Sequence, residues 1–469
     1  MINLSKMKKI SNLLILAVLA IGMGLTSCEG ALDDILGEWS RPTPGTPSKN
    51  PSENPESPAS PLATPLTLEV LSEGAGTIVI KSPKVNMKYS KNGATPTTIT
   101  STADVTIDVT KGDKVAFYGN GTSINNYKGT KIVGGTAQVK VYGNIMSLLD
   151  ETGFETKTDL PNGSNVFCWL FDGNAKLTDA SGLLLPAETL AKNCYLGMFA
   201  GCTSLTTAPE LKAETLAENC YEDMFDGCTS LTTAPELPAK TLANGCYLGM
   251  FQNCTALTAA PKLPAKTLAK NCYLGMFAGC TSLTTAPELK AETLAESCYE
   301  GMFDRCTSLT TAPELPAKTL VNRCCYEMFK GCTSLTVAPE LKVETLAGEC
   351  YQGMFAGCTS LTTAPKLPAT TLANCCYEKM FYGCTKLTTA PNLPAETLAS
   401  SCYLGMFQGC TKLTTAYVKA GYNTNCDEMF EGCTATGTLH TTSANKDSWD
   451  GEMGSDDTWE SWEAVGDWN

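Results

Sequence analysis

Residues 185–210 read LPAETLAKNCYLGMFAGCTSLTTAPE, and variants of this stretch recur along most of the chain. Nine Cys-x7-Cys pairs follow one another in 26-residue steps, from Cys194/Cys202 to Cys402/Cys410. A tenth pair, Cys426/Cys433, is one residue shorter. A fixed period of this length predicts a solenoid, because a single coil cannot bury its apolar face whereas stacked coils share one continuous core.

The pattern inside one unit predicts its local structure. Leu190, Cys194 and Met198 lie at i, i+4 and i+8, which is typical of one helical stripe facing inward. Leu205–Ala208 is the β-competent stretch, and Pro209 is expected to end it because proline has no N–H for a ladder. With a degenerate first unit, we expect an α/β repeat solenoid over residues 145–439. It has about eleven coils, each with one short strand and one short helix.

The copies of Phe199-Ala-Gly-Cys202-Thr-Ser-Leu205 resemble the F-x-x-C-x-x-L-x-x-[IA] core of BspA-like leucine-rich repeats. That class occurs on surface proteins of oral and gut bacteria. The unit differs from the commoner 23-residue repeat by about three extra residues after Pro209 and by Ala208 in place of a larger aliphatic residue. The resemblance implies an extracellular solenoid used for adhesion or protein binding, and it transfers no catalytic residue.

The N-terminus has the pattern of an export signal. Residues 1–27 carry three early lysines and then the apolar run Leu13–Ala20, which is too short to span a bilayer. The sequence Leu25-Thr26-Ser27-Cys28 resembles the lipobox of bacterial lipoproteins, which implies that Cys28 is a lipid anchor and the only membrane contact. We therefore expect a Bacteroides-type outer-membrane lipoprotein that is displayed on the cell surface. An ordinary secretory signal with a chance cysteine is the alternative.

Two segments separate the anchor from the repeats. Residues 28–65 form a linker with eight prolines between Arg41 and Pro65, a composition that favours extended polyproline II. Residues 66–144 contain short alternating runs such as Val105–Val109, which predict a small all-β, sandwich-like domain. We interpret this domain as a spacer or cap, and a glycan- or protein-binding module is the alternative.

The cysteines require a structural explanation, because there are 24 of them. We interpret the second cysteine of each unit as a ladder of buried free thiols that act as small core residues. An inter-coil disulfide stays open on distance, and zinc is disfavoured because the Cys-x7-Cys spacing lacks histidine and close ligands. Cys325 and Cys375 are out of phase with the repeat, and we expect them to be exposed. The predicted ladder comprises Cys202, Cys228, Cys254, Cys280, Cys306, Cys332, Cys358, Cys384 and Cys410.

Composition narrows the range of functions. The 469 residues are 43% hydrophobic and carry a net charge of −14, which argues against a nucleic-acid partner because phosphate binding needs clustered Lys and Arg. His440 is the single histidine, so histidine-based catalysis and histidine-ligated metals have almost no basis. We predict no enzyme activity, no cofactor and no metal site.

The most regular polar feature is a Thr-Thr pair at the positions of Thr206 and Thr207, which is intact in seven of nine units, with Thr258-Ala259 and Thr336-Val337 as the exceptions. Aligned on a solenoid sheet, the pairs would form a repetitive face for a host or microbial surface protein or glycan. The alternatives are plain β-propensity and solubility, and a non-binding spacer or envelope-coat role for the whole chain. The candidate residues are Thr206, Thr207, Thr232, Thr233, Thr284, Thr285, Thr310, Thr311, Thr362, Thr363, Thr388 and Thr389.

The C-terminal tail, residues 440–469, is acidic and contains four of the six tryptophans. A terminal coil needs a cover over its open core, so we interpret the tail as a cap. Calcium binding by its aspartates is the alternative, although the tail lacks the ligand order of a known calcium loop.

Overall fold

The structure is a computed structural model that describes residues 61–119, 129–161, 163, 165–434, 436–453 and 461–468. These residues belong to one compact unit, Ala59–Asn469. The predicted signal peptide, the predicted anchor Cys28 and the linker up to residue 60 lie outside the described residues. None of the described helices is long and apolar enough to cross a membrane.

The regular elements are thirteen strands and one α-helix in the described part of the chain, joined mainly by turns. The strands are β1 (Thr67–Val70), β2 (Gly76–Lys81), β3 (Lys88–Lys91), β4 (Thr97–Thr98), β5 (Val105–Val109), β6 (Lys114–Tyr118), β7 (Lys131–Gly134), β8 (Val139–Asn144), β9 (Leu177–Leu184), β10 (Thr389–Leu393), β11 (Thr415–Val418), β12 (Thr436–His440) and β13 (Ser461–Val465). The helix is α1 (Lys446–Met453), and short 3-10 turns occupy Pro61–Ala63, Ile145–Leu148, Phe154–Thr156 and Thr424–Cys426.

Strands β1 to β8 build the N-terminal β domain. They form two sheets, one with the order β4-β3-β6-β1-β8-β9 and one with the order β5-β2-β7, and all pairs among β1 to β8 are antiparallel. In β5, Ile107 and Val109 are buried while Thr106 and Asp108 are exposed, as the alternating sequence predicts. Leu68 of the first sheet and Ile78 of the second belong to the same hydrophobic core.

The β domain continues directly into the solenoid. Strand β8 pairs in parallel with β9, with Gly143 opposite Leu183. Asp179 of β9 in turn forms a parallel bridge with Thr207 of the next coil. The sheet therefore crosses the predicted boundary at residues 144/145, and the β domain covers the first coil.

Each coil contains a run of tight turns whose backbone N–H groups alternate between two kinds of partner. The N–H of Tyr195 donates to the carbonyl of Cys220 in the next coil, at an N···O distance of 2.9 Å. The N–H of Leu196 donates to the carbonyl of Asn193 within the same coil, at 3.3 Å. The coils are thus joined by backbone hydrogen bonds along the turns as well as along the sheet.

The predicted helix in each coil is wrong. Asn193, Gly197 and Gly201 have φ angles of 56°, 58° and 68°, so a left-handed residue occurs every fourth position. An α-helix cannot pass through such residues, because it needs negative φ throughout. The inward stripe of Cys194 and Met198 is real, since both are fully buried, but a four-residue turn repeat produces it instead of a helix.

The predicted strand in each coil is also reduced. In most coils it is one bridging residue, such as Thr207 paired with Thr233 in parallel. Proline after Ala208 and its equivalents removes the next donor, which limits the ladder. Among the strands in the described part of the chain, only β10 extends through such a residue, Pro391, and its pairing with β11 shifts register there.

Columns of identical side chains fill the core. Neighbouring phenylalanine rings, from Phe171 to Phe430, stack with centroids 5.3–5.7 Å apart. A parallel column of tyrosines, beginning at Tyr195, has spacings of 5.7–6.2 Å. The core is therefore one continuous stack and not a set of separate clusters.

The C-terminal tail covers the end of this stack. Trp449 of α1 is fully buried and its indole N–H donates to the carbonyl of Ala420, at 3.0 Å. Trp462 of β13 stacks on Phe430, with ring centroids 5.1 Å apart. Strand β13 adds to β12 in parallel and extends the sheet by one more strand. Trp459 lies outside the described residues.

Candidate binding surface

The threonine pairs form an outward surface, here called the threonine face. In the first regular coil, Leu205 is buried and Ala208 packs against the core, while Thr206 and Thr207 between them are exposed. At this position, parallel bridges join several neighbouring coils, for example Thr207 to Thr233 and Thr311 to Val337. Parallel bridges of this kind space equivalent residues by roughly 4.8 Å.

All twelve predicted threonines are exposed, so the structure brings them together on one surface. The residues are Thr206, Thr207, Thr232, Thr233, Thr284, Thr285, Thr310, Thr311, Thr362, Thr363, Thr388 and Thr389. Two positions interrupt the second column. Ala259 replaces threonine in one coil, and Val337 in another, where its side chain is 54% exposed.

Some of the hydroxyl groups are already engaged with the scaffold. The hydroxyl of Thr206 donates to the carbonyl of Thr178 at 2.9 Å, and that of Thr336 donates to the carbonyl of Thr310 at 3.2 Å. These bonds hold the side chains in a fixed orientation. The threonine face therefore offers an ordered array of hydroxyl and methyl groups with the repeat of the coils.

The predicted cysteine ladder lies in the core. Each of its nine thiols is fully buried and free, and each donates a hydrogen bond to a phenylalanine carbonyl of the preceding coil. The S···O distance is 3.0 Å from Cys280 to Phe251, and it lies between 3.1 and 3.2 Å for the other eight. Burial raises the pKa of Cys280 to about 12, which keeps the thiol protonated and unreactive.

The expectation that Cys325 is exposed is wrong. Cys325 follows Tyr299 by 26 residues and takes its place in the tyrosine column, where it is 1% exposed. Tyr326 is displaced toward the surface, where the guanidinium of Arg323 lies 4.0 Å from its ring centroid. Cys375 is half-buried, and burial, followed by its contact with Glu378, raises its pKa to about 11.

Arg323 links three coils electrostatically. It forms an ion pair with Glu300 of the preceding coil, at 2.9 Å, and another with Glu349 of the following coil. Its hydrogen bond to Glu300 is the main reason that its pKa is raised above the usual arginine value. Simpler inter-coil pairs, such as Lys270–Glu296 at 2.9 Å, are exposed and contribute little to stability.

A group of acidic side chains lies on the turns of one coil. Burial raises the pKa of Glu222 to about 7, and the neighbouring carboxylates Asp223 and Glu218 add to the shift. The pKa of Asp223 is raised to about 6, again mainly by burial and then by Asp226. In the described part of the chain, no group of three or more His, Cys, Asp or Glu side chains is arranged to hold a metal ion.

Analysis of the sequence did not single out Tyr417. This residue stands where the eight preceding coils have proline, and its ring stacks on His440, with centroids 4.5 Å apart. The Nδ1 atom of His440 lies 2.8 Å from a carboxylate oxygen of Asp467. The break in the Ala-Pro pattern is the signal by which alignment of the repeats would have found this position.

A family model, described as the BspA type leucine-rich repeat region in six copies, matches residues 192–310, 247–367 and 348–447. Together these matches span more than half of the chain. No curated protein matches the chain.

One solved structure, titled "Crystal structure of TLR13-ssRNA13 complex", is similar over 62% of this chain, with 10% sequence identity and a TM-score of 0.22. The similar region spans 51% of that solved chain. At this TM-score the similarity carries no argument about function. The family match and the stacked coils establish the leucine-rich repeat solenoid.

Proposed function

Because this chain belongs to the BspA-type leucine-rich repeat family, we propose that it is a surface-displayed, lipid-anchored adhesion or binding protein whose threonine face contacts a host or microbial protein or glycan. Leucine-rich repeats form interaction scaffolds, in which the repeated surface binds and the core supports it. The proposal treats Cys28 as the lipid anchor that holds the chain at the outer membrane. It assigns no catalytic role to any residue.

The observation that carries the proposal is the exposure of all twelve threonines on a scaffold whose core is one continuous stack of side chains. An array with a fixed repeat favours a long or multivalent partner, because each added contact raises the effective affinity without any new type of interaction. The net charge of −14 favours partners other than nucleic acid.

Binding to immobilised mucin and extracellular-matrix protein tests the threonine face. The test variant replaces Thr284, Thr285, Thr310 and Thr311 with lysine, which removes the threonine side chains of two adjacent coils from the threonine face. We expect at least a tenfold loss of retention relative to the unsubstituted protein. The matched control replaces four exposed glutamates by glutamine, which changes the net charge by the same amount outside the threonine face. Its positions are Glu210, Glu236, Glu288 and Glu314.

Equal retention of the two variants would contradict a role for the threonine face. If neither they nor the unsubstituted protein bind above a coated-well background, a spacer or envelope-coat role explains the repeats better. Protease treatment of intact cells tests the location separately, since a surface-displayed chain is cleaved and a chain facing the periplasm is protected.

A further inference from the structure

A second surface, at the C-terminal end of the solenoid, has the composition of a ligand site. Its central residue is Tyr417, which is half-buried and held on one side by His440. Trp468 contacts the same tyrosine edge-on, with centroids 6.5 Å apart, and the backbone N–H of Trp468 donates to the carbonyl of Thr441 at 2.9 Å. The Tyr417 ring is therefore a fixed platform and not a mobile surface side chain.

A groove of about 520 Å³ opens beside this platform, between residues 364–368 of one coil and strand β10 of the next. Tyr417 lies opposite Asn392 in the ladder and lines the groove. Since His440 covers one face of the tyrosine ring, the face toward Asn392 is the one that borders the groove. The volume falls within the range of roughly 300–1,000 Å³ that is typical of small-molecule sites.

The walls of the groove combine apolar CH surface with uncharged polar groups. Pro365, Pro368, Pro391 and Pro394 are among the residues that supply apolar surface. The exposed hydroxyl of Thr389 and the exposed amide of Asn392 supply hydrogen-bonding groups, and Lys366 is the single charged residue among the described residues of the lining.

We propose that this groove binds a neutral pyranose unit of a saccharide chain. The apolar face of a pyranose ring, which carries axial C–H groups, stacks on the exposed face of Tyr417. Its equatorial hydroxyls then lie at the level of the Asn392 amide and the Thr389 hydroxyl. Because aromatic rings and amides together match a ligand with one apolar face and a polar rim, this chemistry fits a sugar.

An extended peptide fits the groove less well. A peptide that adds to a sheet edge needs alternating backbone donors and acceptors on the wall it joins. The four prolines of the groove have no N–H, so they interrupt the row of backbone donors that a peptide strand would need. The absence of carboxylates from the described lining residues also removes the usual partners for a basic peptide.

The site adjoins the threonine face at Thr389 but does not rest on the proposed function. A saccharide could bind in the groove whether or not the threonine face binds mucin or matrix protein. Variants of Tyr417 change the groove alone, and variants at Thr284–Thr311 change the threonine face alone, so the two proposals fail independently.

Affinity electrophoresis of the purified protein in gels containing one neutral polysaccharide tests the inference. The polysaccharides are amylopectin, xyloglucan, mixed-linkage β-glucan and galactomannan. We expect retardation by at least one of them, a loss of at least tenfold in affinity for Tyr417→Ala, and retention within about twofold for Tyr417→Phe. Tyr382→Ala, which removes a tyrosine that is 46% exposed elsewhere on the solenoid, is the matched control and is expected to bind normally.

Asn392→Ala provides an independent variant, since its exposed side chain contributes little to folding, and we expect it to lose at least fivefold in affinity. If circular dichroism shows that Tyr417→Ala does not fold, Asn392→Ala decides the outcome. Absence of retardation by all four polysaccharides overturns the inference. Unchanged binding by both Asn392→Ala and a folded Tyr417→Ala would also overturn it.

Discussion

At the residue scale, the buried thiols act as hydrogen-bond donors and core filling. A cysteine at this position is small enough for the crowded core, and its S–H group points at a carbonyl of the preceding coil. For Cys280 this acceptor is the carbonyl of Phe251, which also accepts the backbone N–H of Cys254 in its own coil. The Cys280 thiol therefore gives the Phe251 carbonyl a second hydrogen bond. Burial raises the pKa of thiols such as Cys280, so they stay protonated and do not act as nucleophiles.

Replacement of one ladder thiol tests this role. We expect Cys280→Ala to lower the free energy of unfolding by about 1–2 kcal/mol, because it removes a buried hydrogen bond and leaves a small cavity. Cys375→Ala, at a half-buried cysteine, is the control and is expected to change it by less than about 0.5 kcal/mol. Urea unfolding followed by circular dichroism measures both. Equal effects would show that the ladder position has no special role.

The acidic side chains on the turns predict a dependence of stability on pH. The pKa of Glu222 is about 7 in the folded protein against an ordinary value of 4.5. Between those values the folded state binds more protons than the unfolded state, so stability falls as pH rises and levels off above about pH 7. We expect Glu222→Gln to raise the melting temperature at pH 8 more than at pH 5.

Thermal unfolding at both pH values measures this difference. Glu236→Gln, which changes an exposed glutamate, is the control and is expected to show the same small effect at pH 5 and pH 8. A Glu222→Gln effect that is independent of pH would contradict the assignment of the raised pKa to this carboxyl group.

At the scale of the element, the left-handed residues define the coil. A left-handed residue at every fourth position, in many cases glycine, lets the chain turn so that its backbone N–H groups reach the neighbouring coil. Asparagine and serine take some of these positions, and other side chains pay a conformational cost there. The turn run thus replaces the helix that is usual at this place in a strand-and-helix repeat.

Alanine at one of these glycines tests the argument. Gly275 has a φ of 59°, and an added Cβ would meet only Gln252, at 3.7 Å, so the effect is conformational and not steric. We expect Gly275→Ala to lower the free energy of unfolding by about 1–2 kcal/mol. Gly348→Ala is the control, because this glycine does not have positive φ and an added Cβ has ordinary contacts. We expect the control to be neutral or slightly stabilising in the same urea titration.

At the scale of the whole molecule, the solenoid is closed at both ends. The β domain continues the sheet at the N-terminal end, through β8 and β9, and Trp449 and Trp462 of the tail cover the last coil. Since each coil contacts only its neighbours, the loss of a cap is expected to lower the stability of the adjacent coils first.

Trp449→Ala tests the C-terminal cap. We expect a loss of about 3–5 kcal/mol, as for other buried tryptophans, and we expect it to be confined to the coils after about residue 400. Hydrogen exchange measured by mass spectrometry locates the effect, with residues 190–290 as the internal control. Uniformly faster exchange along the whole solenoid would show that the protein unfolds as one cooperative unit instead.

The sequence by itself determined the repeat, its register and the residues that fill the core. Phenylalanine, tyrosine and cysteine recur every 26 residues, and stacking of like on like follows from any regular solenoid. The helix was wrong because a stripe at i, i+4 and i+8 arises equally from a helix and from four-residue turns. Only the φ angles of residues such as Gly197 separate the two.

The tertiary structure alone decided the features that depend on neighbouring coils. The burial of Cys325, the stacking of Tyr417 on His440 and the continuation of β8 into β9 join residues distant in the chain or displaced from the repeat. Periodicity describes what each coil has in common with the others. The contacts of a residue that departs from the repeat depend on the space that adjacent coils leave for it, which no single unit encodes.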